Sequence, residues 1–225
     1  MNTSLPGIDY PELTSRAVCR PGVPVVRVVD DDRAYCIALH RLLRAQGFEV
    51  RSYSSVAEVL LEGLDAPGCF VLDMALPDAT GLELQQVLSR WPEPPPVIFL
   101  SGQSDVLSVA TAMKLGAVDF FSKPVEGVVL VDSVRNALLR DQTRRDERKS
   151  LRDLRTRYDA LSERERAVLT LAVEGNLNRD IALTLNIAER TVKAHRAHLL
   201  EKMQARTVLD LVRMTDRLRG SAQPL

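Results

Sequence analysis

The sequence predicts an α/β doubly wound parallel five-stranded sheet followed by an all-α domain. Three observations carry that reading. Short apolar or β-branched runs alternate with segments of helical spacing from residue 25 to residue 126, the pattern of a parallel sheet with helices on both faces. Asp30 and Asp31, Asp73, Ser101 and Lys123 each stand just after one of those runs, at the strand ends where open α/β sheets bind ligands. The formal net charge is zero, yet residues 1–127 carry 10 Lys and Arg against 16 Asp and Glu, while residues 128–225 carry 20 against 14. An acidic half (net −6) joined to a basic half (net +6) predicts two domains, the second facing a polyanion.

Length and composition allow this. At 225 residues, 45% of them hydrophobic, the chain can bury two modest cores. Cys19, Cys36 and Cys69 have no metal-ligand spacing; Cys36 and Cys69 lie in apolar contexts and read as core thiols of a reducing cytoplasm. No apolar run approaches the ~18 residues of a membrane span, so no membrane partner is expected. Residues 1–23 hold Pro6, Gly7, Pro11, Pro21 and Gly22, show little periodicity and lack a signal-peptide core; they read as a flexible tail.

In chain order, Val25-Val26-Arg27-Val28-Val29 is a strand by its β-branched content. It ends in Asp30-Asp31-Asp32, with Asp32 suited to a helix start. The helix that follows places Ala34, Ile37, Ala38, Leu42 and Leu43 at near-helical spacing and closes at Gly47. Residues 48–53 form a second strand, and 54–61 a helix capped by Ser54 or Ser55. Cys69-Phe70-Val71-Leu72 is too continuously apolar to have a wet face, which suits a strand covered on both sides. It stops at Asp73, and Pro77 and Gly81 mark the loop beyond. A helix over residues 81–89 stops before Trp91-Pro92, and Pro94-Pro95-Pro96 is stiff. Residues 97–100 form the fourth strand, 105–115 a helix closed by Gly116, and 118–121 the fifth strand, with another helix from about Glu126.

Clustered carboxylates at one sheet edge repel one another, by roughly 4 kcal/mol per pair at 4 Å and an effective dielectric near 20. A hard divalent cation with oxygen ligands relieves this, and Mg²⁺ fits because it needs few protein carboxylates and keeps waters. Screened in this way, Asp73 becomes a nucleophile able to form an acyl phosphate. Lys123 and Ser101 are suited to hold phosphoryl oxygens.

With Asp30-Asp31, Asp73, Ser101 and Lys123-Pro124 in that spacing, residues 24–140 resemble the receiver domain of a two-component response regulator, a flavodoxin-like fold, and residues 101–124 most resemble the FixJ type. The resemblance implies phosphorylation at Asp73. It implies Mg²⁺ bound by Asp31, Asp73 and the main-chain carbonyl of Ala75, with Asp30 helping through water. It also implies a switch pair of Ser101 and Phe120, and a Lys123-Pro124 bond of the cis kind that proline makes accessible. A phosphatase of the haloacid dehalogenase class also uses a strand-end aspartate, but needs a second aspartate two positions on, where this chain has Ala75.

Residues 140–150 hold no apolar side chain and read as a solvated helix with salt pairs, part of a charged helical linker over residues 141–160. Leu151, Leu154, Tyr158 and Leu161 then resume helical spacing. Ser162 with Glu165 is a capping box. A helix to Val173, a short helix over 179–185 opened by Asn178, a left-handed turn at Asn186, and helices over 189–203 and 206–218 complete the basic half. Ala182, Asn186 and Val192 hold the small, turn and apolar positions of a helix-turn-helix.

Residues 161–218 resemble the LuxR/NarL-type DNA-binding domain, through Leu161-Ser162-Glu163-Arg164-Glu165, Asn178, Ile181-Ala182, Leu185, Thr191-Val192-Lys193 and His195. Two residues depart from its pattern: Ala188 stands where a Ser or Thr cap is usual, and Ala197 where a basic residue is frequent. Asn178, Arg179 and Thr191 suit phosphate contacts, Lys193 and Ala194 match base-reading positions, and Arg196 suits either; Val192 reads as core. His195 and His198 have no third ligand in view and read as phosphate or packing residues.

The whole implies a cytoplasmic response regulator. A sensor histidine kinase supplies the phosphoryl group, promoter DNA is the target, and a homodimer forms on phosphorylation, with RNA polymerase a further partner. The chain is not expected to be an enzyme beyond accepting that group. The rival reading is a DNA-binding protein whose receiver serves only for dimerisation, against which the intact acidic edge argues.

Overall fold

The computed structural model describes residues 23–62, 67–91, 93–102 and 106–220. The expected tail, apart from Val23, lies outside the described residues, as do Cys19, Pro92 and Asp105. The chain divides into two compact units, Met1–Arg145 and Asp146–Leu225.

The first unit alternates β1 (Val25–Val29), α1 (Arg33–Ala45), β2 (Glu49–Tyr53), α2 (Val56–Glu62), β3 (Gly68–Asp73), α3 (Gly81–Ser89), β4 (Val97–Ser101), α4 (Val106–Lys114), β5 (Asp119–Ser122) and the start of α5 (Gly127–Asp159). All pairings are parallel, in the order β2-β1-β3-β4-β5. β1, β3 and β4 are buried along their whole length, whereas the edge strand β2 buries only Val50 and Tyr53. Successive side chains point to opposite faces. Val26, Val28, Cys69, Val71, Ile98 and Leu100 therefore pack with α1 and α5. Val29, Phe70, Leu72, Val97 and Phe99 pack with α2, α3 and α4.

Helix α1 forms where expected but turns a different face inward. Its buried residues are Cys36, Leu39 and Leu43, while Ala34, Ile37 and Ala38 are exposed. Spacing of three and four fits both sets; the choice is made by what β1, β2 and α5 offer. The N-cap is Asp32, whose carboxylate accepts from the N–H groups of Ala34 and Tyr35. For α2 the cap is Ser55, which accepts from Glu58 N–H at 3.2 Å, and Asp78 adds a second anchor by accepting from Val56 and Ala57 N–H at 3.1 and 2.8 Å. Both arrangements satisfy helix-end donors that would otherwise lack partners.

The charged stretch 140–150 lies within α5, an uninterrupted helix of 33 residues. It carries the expected ion pairs but is not uniformly solvated. Asp141 is 2% exposed and accepts from Gly68 N–H at 3.1 Å and Arg145 Nε at 2.8 Å. It thus fastens the helix to the start of β3.

The second unit holds the end of α5, then α6 (Glu163–Val173), α7 (Asn178–Leu185), α8 (Glu189–Met203) and α9 (Val208–Gly220). The Ser162–Glu165 capping box is present. Asn186 adopts φ 53 and ψ 52, the left-handed turn expected between α7 and α8. Ala188 caps α8 without any side-chain bond. Val168, Ala172, Ile181, Ala182 and Val192 form the core of the α6–α7–α8 corner; Leu154, Leu161, Leu169, Leu199, Met203, Leu211 and Leu218 form a second cluster. Among the described residues no helix is long and apolar enough to cross a membrane.

Candidate functional site

The acidic edge follows from strand register. Val29 of β1 is paired with Leu72 of β3, so the next residues, Asp30 and Asp73, are neighbours. They meet at the point where the chain has placed β2 on one side of β1 and β3 on the other, the switch point at which open α/β sheets carry their ligands. Asp31 joins them: one carboxylate oxygen from each of Asp30, Asp31 and Asp73 lies within 4.8 Å of the others. Asp30 and Asp73 are buried, at 2% and 8% exposure, and Asp31 faces solvent. A cavity of about 590 Å³ lined by Asp30, Asp31, Ile37, His40 and Ser52 opens beside them.

Lys123 arrives from β5. Ser122 pairs with Ser101 of β4, Lys123 N–H donates to Ser101 O at 2.8 Å, and the Lys123-Pro124 peptide is cis. From there Nζ donates to Asp30 Oδ2 at 2.5 Å and to Asp73 Oδ2 at 2.8 Å, and lies 4.8 Å from the centroid of the Tyr35 ring.

The loop after Asp73 is pinched against the strand. Ala75 N–H reaches Asp73 Oδ1 at 3.4 Å, Ala75 and Thr80 form a β-bridge, and Gly81 N–H donates to Met74 O at 2.9 Å. Gly81 permits this approach, since a Cβ there would sit 2.2 Å from Asp73 O.

Burial pushes the Asp30 carboxyl above its ordinary range, and the bond from Lys123 only partly offsets this. Burial is the largest single influence on the Lys123 ammonium and works against it, but the hydrogen bonds and negative charges of Asp30 and Asp73 together hold it above its usual pKa. The same dryness raises the Cys36 thiol to about 11 and the Cys69 thiol to about 12, so both are inert core groups.

Asp30, Asp31, Asp73 and Lys123 are therefore brought together, with Ala75 next in the loop. Ser101 is buried at the end of β4. Phe120 is not at the carboxylates; its ring lies 5.9 Å from that of Phe99 on the α2–α3–α4 face. Sequence reasoning missed Tyr35 and Asp78. Asp78 left a local trace, an acid in a turn. Tyr35 left none, because its contact with Lys123 spans 88 residues.

In the second unit Val192, Leu199 and Met203 are the buried stripe of α8. Lys193, Ala194, Ala197 and His198 are exposed, and Thr191, His195 and Arg196 are half-buried. Arg179 is exposed at the start of α7, near Asp180 at 3.8 Å. Arg196 Nη1 donates to Asn178 Oδ1 at 2.7 Å, so two of the expected DNA-contacting residues hold each other.

Two family models match. The response regulator receiver domain matches residues 26–135, and the luxR family of bacterial regulatory proteins matches residues 159–215. The chain is 38% identical over 213 residues to the response regulator protein TmoT of Ectopseudomonas mendocina, covering 94% of this chain and 97% of that one. It is 40% identical over 199 residues to nodulation protein W of Bradyrhizobium diazoefficiens, covering 88% of each. The solved structure of the response regulator StyR matches with a TM-score of 0.81 at 36% identity, covering 87% of this chain and 100% of that one. A parallel sheet with its acidic edge, a helix-turn-helix and full-length relatives of the same build lead to one assignment: the chain belongs to the two-component response regulators that join a receiver domain to a LuxR-type DNA-binding domain.

Proposed function

We propose that Asp73 is the phosphorylated residue and that its acyl phosphate controls binding of the second unit to promoter DNA. The observation that supports this most is the convergence of Asp30, Asp31 and Asp73 within 4.8 Å, with Lys123 bonded to two of them. A buried carboxylate at an accessible strand end, beside a fixed ammonium, is suited to attack a phosphorus centre. An Asp73 oxygen forms the new P–O bond. The N–P bond of a sensor kinase phosphohistidine breaks, and its electron pair stays on the imidazole nitrogen.

The donor set also fits Mg²⁺: hard carboxylate oxygens close together, one exposed at Asp31, with the Ala75 carbonyl next in the loop. Asp31, Asp73 and the Ala75 carbonyl would hold the ion directly, with Asp30 helping through water, and it would supply neutralisation of phosphoryl charge. Lys123 and Ser101 hold phosphoryl oxygens, and Ser101 with Phe120 forms the switch.

Residues 24–140 act as the receiver, 141–160 as the link and 161–225 as the DNA-binding part, with 1–23 a tail. Asn178, Arg179 and Thr191 hold phosphates, and Lys193, Ala194 and Arg196 face the bases. The protein acts in the cytoplasm. The phosphorylated form pairs into a homodimer that reads two half-sites a whole number of turns apart and addresses RNA polymerase.

Acetyl phosphate with Mg²⁺ labels the wild-type chain, and Asp73→Asn abolishes the label. Acid-stable label on another residue overturns the assignment. Sedimentation with and without beryllofluoride tests the dimer; a monomer in both states, with unchanged operator affinity, removes it. The rival, a receiver used only for dimerisation, predicts that operator affinity ignores acetyl phosphate.

A further inference from the structure

Tyr35 has no part in the reading above, yet it is tied to the acidic edge at both ends. Its backbone N–H donates to Asp32 Oδ1 at 3.1 Å, which fixes it to the loop carrying Asp30 and Asp31. Its ring lies under the Lys123 ammonium at 4.8 Å, within the range of a cation–π contact. Its edge packs on the core between the sheet, α1 and α5. Its hydroxyl is buried, and its polar neighbour is the Val125 backbone. What this side chain presents to the Lys123 ammonium is therefore the ring and not the oxygen.

The Lys123 ammonium has three donors. Two go to Asp30 and Asp73, and the π face of Tyr35 is a third, uncharged neighbour. The two carboxylates do not remain constant during phosphorylation. Acylation consumes an oxygen of Asp73, and a divalent cation draws on the carboxylates around it. A charged third neighbour would compete for that cation. An aromatic face attracts an ammonium but offers no oxygen to a hard ion.

We infer that Tyr35 is a positioning residue: its ring keeps the Lys123 ammonium at the strand edge while the carboxylate partners of that ammonium are exchanged. This rests on the proposed phosphorylation of Asp73.

The test uses the full chain and two readouts. In the first, the ε-methylene protons of Lys123 show an upfield ring-current shift by NMR. The shift persists on adding Mg²⁺ and beryllofluoride, is kept in Tyr35→Phe and is lost in Tyr35→Leu. In the second, the rate of labelling by acetyl phosphate at saturating Mg²⁺ falls about 3- to 30-fold in Tyr35→Leu, the rate equivalent of one cation–π contact. It stays within about twofold in Tyr35→Phe, and Mg²⁺ affinity is unchanged in both. Tyr35→Met, similar in bulk without a π face, replaces the Leu variant if that one unfolds, and should lose both the shift and the rate.

Wild-type labelling rates in a folded Leu or Met variant overturn the inference, as does loss of the shift with beryllofluoride. Equal losses in Tyr35→Phe and Tyr35→Leu also overturn it, by moving the role to the hydroxyl. Failure of the wild type to take label on Asp73 overturns the proposed function instead, and the ring-current readout still decides whether the ring holds Lys123.

Discussion

Arg196 Nη1 donates to Asn178 Oδ1 at 2.7 Å, tying the middle of α8 to the first residue of α7. The bond sets how the two helices of the helix-turn-helix are presented and places both residues in one unit. Arg196→Ala and Asn178→Ala should each weaken operator binding, and the double variant should lose less than the sum, with a coupling of about 0.5–3 kcal/mol. Lys193 is exposed on the same helix. Lys193→Ala should add independently and cost about 1–3 kcal/mol at one base position if it reads a base edge. Fluorescence anisotropy at fixed salt measures both, since phosphate contacts make affinity salt-dependent. A strictly additive Arg196–Asn178 cycle would mean that the pair separates on DNA.

Lys123 competes with any cation for Asp30 and Asp73, because its ammonium already bonds both. Lys123→Met leaves those carboxylates unpaired, so Mg²⁺ should bind about three- to tenfold tighter, a small part of the ~4 kcal/mol a like-charged pair can cost. Labelling by acetyl phosphate should fall by about 100-fold or more, as when one preorganised donor is removed. Titration calorimetry and a labelling assay report the two effects, and weaker Mg²⁺ binding would reject the competition.

Gly81 stands against the main chain of Asp73, where a Cβ would meet the Asp73 carbonyl oxygen at 2.2 Å. Neither backbone can yield without moving the strand end. Gly81→Ala should cost about 1–3 kcal/mol by overpacking and slow labelling more than it lowers stability, since the shift falls on the proposed nucleophile. Urea unfolding beside labelling rates tests this; wild-type values for both would show that the loop relaxes freely.

Glu165 is 4% exposed. The Lys202 ammonium at 2.8 Å and the Ser162 N–H hold its carboxyl at about 2, against an ordinary 4.5. A depressed carboxylate contributes stability above its unfolded pKa and loses it as pH falls from about 4.5 toward about 2. Because the Lys202 side chain is 42% exposed, solvent screens the pair. Lys202→Met should therefore cost the second unit about 1–2 kcal/mol near neutral pH. The gap from wild type should close through that acid window, as followed by circular dichroism. A gap independent of pH would assign the loss to packing of the lysine stem.

The sequence by itself determined features whose physics acts over a few residues. Ser162 and Glu165 satisfy each other across one turn, Asn186 tolerates φ 53 in a turn that needs it, and the unbroken apolar run Cys69–Leu72 is legible as a strand covered on both faces. Because those strands are parallel, the polar residues after them had to share one edge, so Asp30, Asp31, Asp73 and Lys123 were legible as a group. Only tertiary structure decided which side chains meet. Cys36 and Leu39, not Ile37 and Ala38, became the inner face of α1. Asp141 was taken out of water by Gly68 and Arg145. Tyr35 came under Lys123, and Arg196 was given to Asn178. Periodicity marks a helix as amphipathic, and a charge marks a residue as needing a partner. Which partner it finds is set by elements up to a hundred residues away, whose approach no local spacing records.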